Sequence, residues 1–139
     1  MLNGIDPLLT GALLAHLDAM GHSDSVVVAD AHFPAARLAA RLIDLPGHSA
    51  PAVLAAIRTV IPLDDAPALD LMRSADGATL PVQRELVDAA RAGDGDVRMV
   101  ERYAYYDLAA EAFVIVRTGE TRSYGNALLR KGLVVDYRN

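Results

Sequence analysis

The run Ser25-Val26-Val27-Val28-Ala29 is the feature that most constrains how this chain can fold. It is rich in β-branched residues and has no polar alternation, which is typical of a strand that is buried on both faces. Strands of this kind occur in parallel sheets that carry helices on each side. The rest of the chain should therefore supply helices for two faces of a sheet.

The segments around this valine run have helical spacing and helix boundary residues. A first helix begins after Thr10 and ends at Gly21. A second helix begins at Pro34 and carries Leu38 and Leu42 on one side. Further helices are predicted over 49–62, 81–92 and 105–112, further strands over 68–73, 97–102 and 113–116, and a strand with a turn over 127–135.

Alternation of strands and helices predicts the fold class. Units in which a helix connects two parallel strands place helices on both faces of the sheet. We expect a single three-layer α/β/α domain with a mostly parallel (mixed) sheet and a Rossmann-like topology. The length of 139 residues fits one domain over residues 1–139.

Composition excludes several classes of protein. Thirteen basic and eighteen acidic residues give a net charge of −5, which argues against nucleic acid or anionic lipid as partners. The lack of cysteine excludes a disulfide scaffold and a thiolate nucleophile. The N-terminus lacks the pattern of a secretion signal, and every apolar run is too short for a bilayer, so we expect a cytoplasmic protein without a membrane partner.

Motifs for cofactors and activated nucleophiles are also missing. The sequence contains no G-x-G-x-x-G, no G-x-x-x-x-G-K-[ST] and no G-x-S-x-G. The polar residues that remain at predicted loops are histidine, aspartate, arginine, tyrosine and asparagine. These residues suit proton transfer on an uncharged ligand that is rich in hydroxyl groups.

Several polar residues stand where small ligands bind in open α/β sheets, beyond the carboxyl ends of the strands. Asp30 and His32 come directly after the valine run, and Arg102 ends a later predicted strand. The segment Tyr124-Gly125-Asn126 follows the strand after that, and His22 lies in the loop before the valine run. The sequence therefore offers these residues as candidates for a ligand site.

Each candidate also has a purely structural explanation. His22 could hydrogen-bond the last carbonyls of the first helix. Asp30 could cap the second helix, and Arg102 could form a surface ion pair. Tyr124-Gly125-Asn126 could be a turn in which the glycine and the asparagine adopt positive φ.

A metal site is a competing interpretation of the same loops. His22-x-Asp24 and Asp30-x-His32 offer four nitrogen or oxygen ligands within eleven residues. The predicted strand separates the two pairs, so one chain does not easily close a coordination shell around an ion. We therefore expect no metal ligands.

Four segments in the same order carry a resemblance to a known family. They are Met20-Gly21-His22-Ser23-Asp24, Ala29-Asp30-Ala31-His32-Phe33-Pro34-Ala35, Arg102-Tyr103-Ala104-Tyr105-Tyr106, and Arg117-Thr118-Gly119-Glu120 with Tyr124-Gly125-Asn126. Together they resemble the L-fucose mutarotase and D-ribose pyranase family over essentially the whole chain. The residues after Asp30, and Gly125, are similar to the fucose branch, because the ribose branch carries Gly-Leu-Pro and alanine there.

The resemblance implies an isomerase that interconverts the α and β anomers of a free monosaccharide, with L-fucose as the first candidate. It implies that His22 is the proton donor and that Asp30, Arg102, Tyr124, Gly125 and Asn126 bind the sugar. It also implies that no metal or organic cofactor is needed. The partners implied are a monosaccharide and further copies of the chain, assembled as a ring such as a decamer.

The spacing of His22 and Asp30 suggests that the site is shared between subunits. The extended path between the two residues covers roughly 26 Å at ~3.3 Å per residue, which two side chains cannot span. We therefore expect His22 of one chain to complete the site around Asp30 and Arg102 of a neighbour.

Three other functions remain as alternatives. The first is a D-ribose pyranase, which interconverts pyranose and furanose forms. The second is a non-catalytic monosaccharide-binding accessory protein. The third is a metal-dependent hydrolase or isomerase that uses His22, Asp24, Asp30 and His32.

Overall fold

The computed structural model describes residues 1–136, which form a six-stranded sheet with helices on both sides. The strands are β1 Ser25–Ala29, β2 Leu42–Leu45, β3 Leu69–Met72, β4 Val97–Val100, β5 Val114–Thr118 and β6 Ala127–Arg130. The helices are α1 Gly11–Ala19, α2 Ala35–Leu38, α3 Ala50–Arg58, α4 Pro81–Ala90 and α5 Arg102–Glu111, with a 3₁₀ turn at Asp94–Asp96. Within residues 1–136 no helix combines the length and apolar character needed to cross a membrane.

Strand pairing confirms the expected mostly parallel, mixed sheet. The order is β2-β5-β1-β6-β3-β4. The β1/β5, β2/β5 and β3/β4 pairs are parallel, whereas β6 runs antiparallel to both β1 and β3. Five strands therefore end at one edge of the sheet, which we call the carboxyl edge, and β6 begins there.

The valine run of β1 is buried on both faces, as its sequence predicts. Val26 and Val28 pack into a core with α1, α3 and α4. Val27 and Ala29 face the other way and pack into a second core with α2 and α5. Since side chains of a strand alternate between faces, these two cores confirm the three-layer α/β/α arrangement.

The prediction of one helix through Leu38 and Leu42 is wrong. Helix α2 covers only Ala35–Leu38, and the backbone turns extended at Ala39. Leu42 instead begins β2, where it pairs in parallel with Ile115 of β5. This strand lies at the edge of the sheet and is only half-buried. Its four residues therefore do not form a continuous apolar run like the one that identifies β1, and the sequence pattern does not predict a strand there.

Arg102 does not end a strand, as the sequence suggested, but begins α5. The cause is Glu101, whose carboxylate accepts hydrogen bonds from the backbone N–H groups of Tyr103 and Ala104 at 3.0 and 3.1 Å. This capping satisfies donors that the first turn of a helix leaves free. The helix therefore starts immediately after β4 and holds the Arg102 side chain at the carboxyl edge.

Candidate functional site

A cavity of about 210 Å³ opens at the carboxyl edge of the sheet. Four parts of the chain meet there: the loop after β1, the end of β3, the start of α5 and the loop before β6. The volume is below the roughly 300–1,000 Å³ of sites for drug-sized ligands, so it suits a smaller molecule. The lining residues are Asp30, His32, Phe33, Met72, Arg102, Tyr106, Ser123, Tyr124 and Asn126.

Asp30 and Asn126 form the fixed polar centre of this cavity, and both are buried. The backbone N–H of Asp30 donates to Asn126 Oδ1 at 2.8 Å, and Asn126 Nδ2 donates back to Asp30 Oδ2 at 3.0 Å. The Asp30 carboxylate also accepts the backbone N–H groups of His32 at 2.9 Å and Gly125 at 3.2 Å. Reciprocal bonds of this kind lock the loop after β1 onto the loop before β6.

These bonds limit what Asp30 and Asn126 can still offer a ligand. A carboxylate has about four lone-pair positions, and the N–H groups of His32, Gly125 and Asn126 occupy three of them. The Asn126 amide has one further N–H. Burial raises the pKa of Asp30 even though the hydrogen bonds from His32, Gly125 and Asn126 act to lower it. The pair thus offers one acceptor and one donor at a fixed spacing.

Tyr124 adopts the left-handed conformation in the loop before β6, with φ of 62°. Neither Gly125 nor Asn126 has a positive φ, so the structural alternative given for this turn is wrong on that point. Gly125 is needed for space instead, since a Cβ there would lie 2.9 Å from Glu120 Cγ and 3.1 Å from the Arg122 carbonyl oxygen. A non-glycine residue with positive φ is uncommon and is often found at functional sites.

An ion-pair network holds this loop in place from behind. Arg122 donates from Nε and Nη2 to the buried Glu120 carboxylate at 3.0 and 2.9 Å, and from Nη1 to Glu85 of α4. The Arg122 guanidinium lowers the pKa of Glu120, so this carboxylate stays charged near neutral pH. The segment that carries Tyr124 is therefore tied to α4 as well as to Asp30.

Arg102 and Tyr106 form a second polar wall, one helical turn apart on α5. Arg102 Nε donates to the Tyr106 hydroxyl at 3.0 Å, and its guanidinium lies 5.5 Å from the centre of the Tyr106 ring. Tyr106 packs edge-on against Phe33 with ring centres 5.5 Å apart. These contacts hold the guanidinium over the cavity, where its remaining N–H groups are free to donate.

The other side of the cavity is apolar. Phe33 and Met72 are nearly fully buried in the second core, and Gln83 fixes the end of β3 by donating to the Met72 carbonyl oxygen at 2.7 Å. Tyr105 does not line the cavity. Tyr105 is fully buried behind Phe33, and its hydroxyl has no hydrogen-bond partner among residues 1–136.

His22 lies outside the cavity and is paired with Asp64. Its Nε2 is 3.0 Å from Asp64 Oδ1, and Ser23 Oγ donates to Asp64 Oδ2 at 2.7 Å. The Ser23 hydrogen bond, with smaller contributions from the Asp65 backbone and His22, lowers the pKa of Asp64. The His22 side chain remains 51% exposed. The Asp64 carboxylate therefore fixes the orientation of the His22 imidazole, which remains open to solvent.

The structural alternative for His22, a cap on the first helix, is not what the fold uses. Lys131 Nζ donates to the carbonyl oxygens of Leu17 and Met20 at 2.9 and 2.7 Å and so completes the end of α1. The alternative for Asp30 also fails, because Pro34 precedes α2 without any side-chain cap.

The structure brings together five of the six predicted site residues and separates the sixth. Asp30, Arg102 and the segment Tyr124–Asn126 meet at the carboxyl edge, with Gly125 supporting the wall rather than lining it. The His22–Asp64 pair lies at the other end of β1, about 13 Å away by strand length alone. His22 and Asp24 are therefore apart from Asp30 and His32, and no group of three or more potential metal ligands occurs among residues 1–136.

Several residues of the cavity and of the His22–Asp64 pair were not predicted from the sequence. Tyr106 follows Arg102 by four residues on a helix, a spacing that places the two side chains together and could have identified it. Met72 is the last residue of β3, one position before the end of the strand predicted over 68–73, and it was missed because only polar residues at strand ends were considered. Asp64 gave no such signal, because it lies 42 residues from His22 in the chain.

Comparison with known proteins identifies the family of the chain. The model of the RbsD / FucU transport protein family matches residues 3–134. The chain belongs to this family. The expectation drawn from the four sequence segments is thereby confirmed at the level of the family.

Solved structures of similar proteins share the fold over almost the whole chain. Protein Atu2016, suggested to be a sugar-binding protein, is 35% identical with a TM-score of 0.90, covering 97% of each chain. The fucose mutarotase of Streptococcus pneumoniae, solved with L-fucose, is 32% identical with a TM-score of 0.87, covering 96% of this chain and 100% of its own. Bacillus subtilis RbsD, solved with D-ribose, is 20% identical with a TM-score of 0.80. The match covers 97% of this chain and 100% of that chain, and at this identity it shows a shared fold.

Proposed function

We propose that this protein is a mutarotase that interconverts the α and β anomers of free L-fucose without a cofactor. The observation that carries the proposal is the cavity at the carboxyl edge, where Asp30, Arg102 and Asn126 converge in a chain of the RbsD / FucU family. The 32% identity to a fucose mutarotase that binds L-fucose supports the choice of sugar.

The polar groups of the cavity suit a ligand covered with hydroxyls. Asp30 accepts from one sugar hydroxyl, and the free N–H of Asn126 donates to its neighbour. Arg102 donates to further hydroxyls from the opposite wall. Because the Asp30 and Asn126 side chains are already fixed by each other, binding orders few protein groups and loses little conformational entropy.

The apolar side of the cavity favours a 6-deoxy sugar. L-fucose carries a methyl group where L-galactose, otherwise identical, carries a hydroxymethyl group. Phe33 and Met72 offer this position contacts without a hydrogen-bond partner. A buried hydroxyl there would lose its bonds to water, so the cavity should prefer the methyl group.

Ring opening requires one proton to leave the anomeric hydroxyl and another to reach the ring oxygen. We assign the second transfer to His22, because a histidine ordinarily exchanges protons near neutral pH and Asp64 orients this one. Rotation about the bond between the first two carbons and closure on the other face then give the other anomer.

The separation of His22 from Asp30 implies that the site is shared between subunits. His22 of one protomer would reach the cavity of a neighbour in a homo-oligomer, for which we propose a closed ring. An exposed apolar segment near the His22–Asp64 pair supports an interface: Leu133, Val134 and Val135 are 61, 63 and 81% exposed.

Saturation-transfer NMR on an equilibrium mixture of L-fucose anomers tests the proposal. We expect the protein to increase exchange between the two anomer signals, and to do so less for L-galactose. A D-ribose arm tests the alternative activity, pyranose–furanose interconversion, which membership in the same family favours. Binding of these sugars with exchange at the spontaneous rate would instead identify a non-catalytic accessory protein.

A further inference from the structure

Arg102 is held at the cavity without an ion pair. It is the first residue of α5, where the helix dipole disfavours a positive charge. Among residues 1–136 it has no carboxylate partner, whereas Arg98 donates from Nε and Nη2 to the buried carboxylate of Asp70. The neighbouring carboxylate of Glu101 is engaged in capping α5. Other contacts must therefore fix the Arg102 side chain.

We propose that Tyr103 is a positioning residue of the sugar site, which holds the Arg102 guanidinium over the cavity with the face of its ring. The inference rests on the proposed function, in which Arg102 donates to the sugar. Tyr103 does not line the cavity, so it acts through Arg102 and not by touching the ligand. Its role is separate from the proton transfers of the reaction.

Two aromatic rings and one hydrogen bond fix the Arg102 guanidinium. Its central carbon lies 5.5 Å from the centre of the Tyr103 ring and 5.5 Å from the centre of the Tyr106 ring. The two rings are nearly perpendicular, at 89°, with centres 6.1 Å apart. A cation within about 6 Å of a ring face is attracted by the π electrons. Because only Nε donates within the chain, both Nη groups of Arg102 have no partner among residues 1–136 and can donate to a sugar.

The local sequence explains why the Tyr103 ring is held there. Glu101 accepts the backbone N–H of Tyr103 at 3.0 Å and so fixes the first turn of α5. Tyr103 and Tyr106 are three residues apart on the helix, which makes their side chains neighbours. Tyr106 packs in turn against the buried Phe33. Tyr103 is 67% exposed and its hydroxyl has no partner within residues 1–136, so neither core packing nor a hydroxyl hydrogen bond accounts for its position.

The Tyr103 ring should act on sugar affinity by fixing Arg102 in advance. An arginine side chain that moves freely loses rotamers when it binds a ligand, which costs conformational entropy. Contacts that restrict the guanidinium beforehand reduce this loss. A cation–π contact at an exposed site changes an equilibrium by about two- to five-fold, which is the size of effect that we expect here.

The variants Tyr103→Leu and Tyr103→Phe separate the aromatic face from the hydroxyl. Leucine keeps an apolar side chain without an aromatic face, whereas phenylalanine loses only the hydroxyl. We expect Tyr103→Leu to weaken L-fucose binding about two- to five-fold in a ligand-observed NMR titration, and Tyr103→Phe to bind like wild type. In Tyr103→Leu the half-saturating sugar concentration for anomer exchange should rise by more than the maximal rate falls.

A double-mutant cycle shows whether Tyr103 acts through Arg102. In the Arg102→Ala background no guanidinium remains to be held, so adding Tyr103→Leu should weaken binding no further. A ring that supported only the fold would weaken binding equally in both backgrounds. The comparison of Tyr103→Leu with Tyr103→Phe is decisive even if Arg102→Ala binds too weakly to titrate.

Several results would overturn the inference and leave the proposed function intact. Unchanged affinity in Tyr103→Leu would show that the ring does not position Arg102, and equal weakening in Tyr103→Phe would assign the effect to the hydroxyl. An undiminished effect of Tyr103→Leu in the Arg102→Ala background would mean that Tyr103 acts independently. A changed mass of the assembly in Tyr103→Leu would place Tyr103 in a subunit contact. Conversely, wild-type protein that binds L-fucose without accelerating exchange would remove the mutarotase function, and the affinity comparison would still decide the role of Tyr103.

Discussion

The cavity at the carboxyl edge and the His22–Asp64 pair are built in opposite ways. In the cavity, Asp30 and Asn126 are buried and bound to each other and to backbone N–H groups. At the other end of β1, the His22 side chain is half exposed, and its one polar partner within residues 1–136 is Asp64. The polar groups of the cavity are therefore fixed by the fold, whereas the imidazole of His22 is open to solvent.

The difference between the two regions supports the proposed shared site. The polar centre of the cavity is fixed within one protomer, because the loops after β1 and before β6 are bound to each other. The His22–Asp64 pair is separated from it by the length of β1. If His22 donates a proton to the sugar as proposed, it must do so in the cavity of a neighbouring protomer.

Replacement of His22 should give the largest difference between the effects on anomer exchange and on sugar binding. His22→Ala removes the proton donor and leaves the cavity untouched, so anomer exchange of L-fucose should fall by about 10²- to 10⁴-fold. The affinity for L-fucose, measured by calorimetry, should change little. Unchanged exchange in this variant would show that the His22–Asp64 pair has no part in the reaction.

A change within the loop before β6 should affect the cavity alone. In Gly125→Ala the new Cβ would lie 2.9 Å from Glu120 Cγ and 3.3 Å from Val82 Cγ2, so the loop must shift. We expect thermal or denaturant unfolding to show a loss of about 1–3 kcal/mol, together with weaker sugar binding.

The matched control for Gly125 is Gly47→Ala. A Cβ at Gly47 meets nothing within 4 Å, and its φ is not in the left-handed region. This variant should keep stability and sugar affinity close to wild type. If the two alanine variants behaved alike, the close approach at Gly125 would not be what shapes the cavity.

A smaller effect is expected at the other region when the Ser23 hydroxyl is removed. The Ser23 hydrogen bond is the largest cause of the lowered pKa of Asp64, so Ser23→Ala should raise that pKa toward its ordinary value. The hydrogen bonds to Asp64 stabilise the fold above the unfolded-state pKa of this carboxyl, and the contribution is lost as the pH falls through the folded-state pKa.

NMR titration of the Asp64 carboxyl carbon measures this change directly. Asp44 is an internal control, because Arg117 is the cause of its lowered pKa and Ser23 does not contact it. The stability difference between Ser23→Ala and wild type should also shrink at acid pH, where Asp64 is protonated in both proteins. An unchanged Asp64 pKa would mean that the hydroxyl does not hold this carboxylate.

Sequence alone predicted the parts of the fold that depend on strong local patterns. The uniform valine run identified β1 and required helices on both faces of the sheet. Gly21 marked the end of α1 to within two residues and Pro81 the start of α4, whereas α3 ends at Arg58, four residues before the predicted end at 62. It failed for β2, where a half-buried edge strand of four residues has no distinctive period and the pairing with β5 decides the structure.

The candidate site was predictable in part for a similar reason. Residues at strand ends, such as Asp30, were found because topology alone brings those ends together. The partner of His22 was not, since Asp64 is brought to it by the loop between α3 and β3, which no local pattern specifies. The positive φ of Tyr124 also depends on tertiary contacts, because Gly125 is packed against Glu120 and Arg122.

The sharing of the site between subunits is best tested by mixing two inactive variants. His22→Ala lacks the donor and Arg102→Ala lacks a binding wall, and each should be inactive alone. If the site is shared, oligomers formed by co-expression should recover about a quarter of wild-type exchange, since each active site needs one intact half from each protomer. A mixture of Arg102→Ala with Tyr124→Gly, both within the cavity, should stay inactive. No recovery in the first mixture, in oligomers verified to contain both variants, would contradict the shared site.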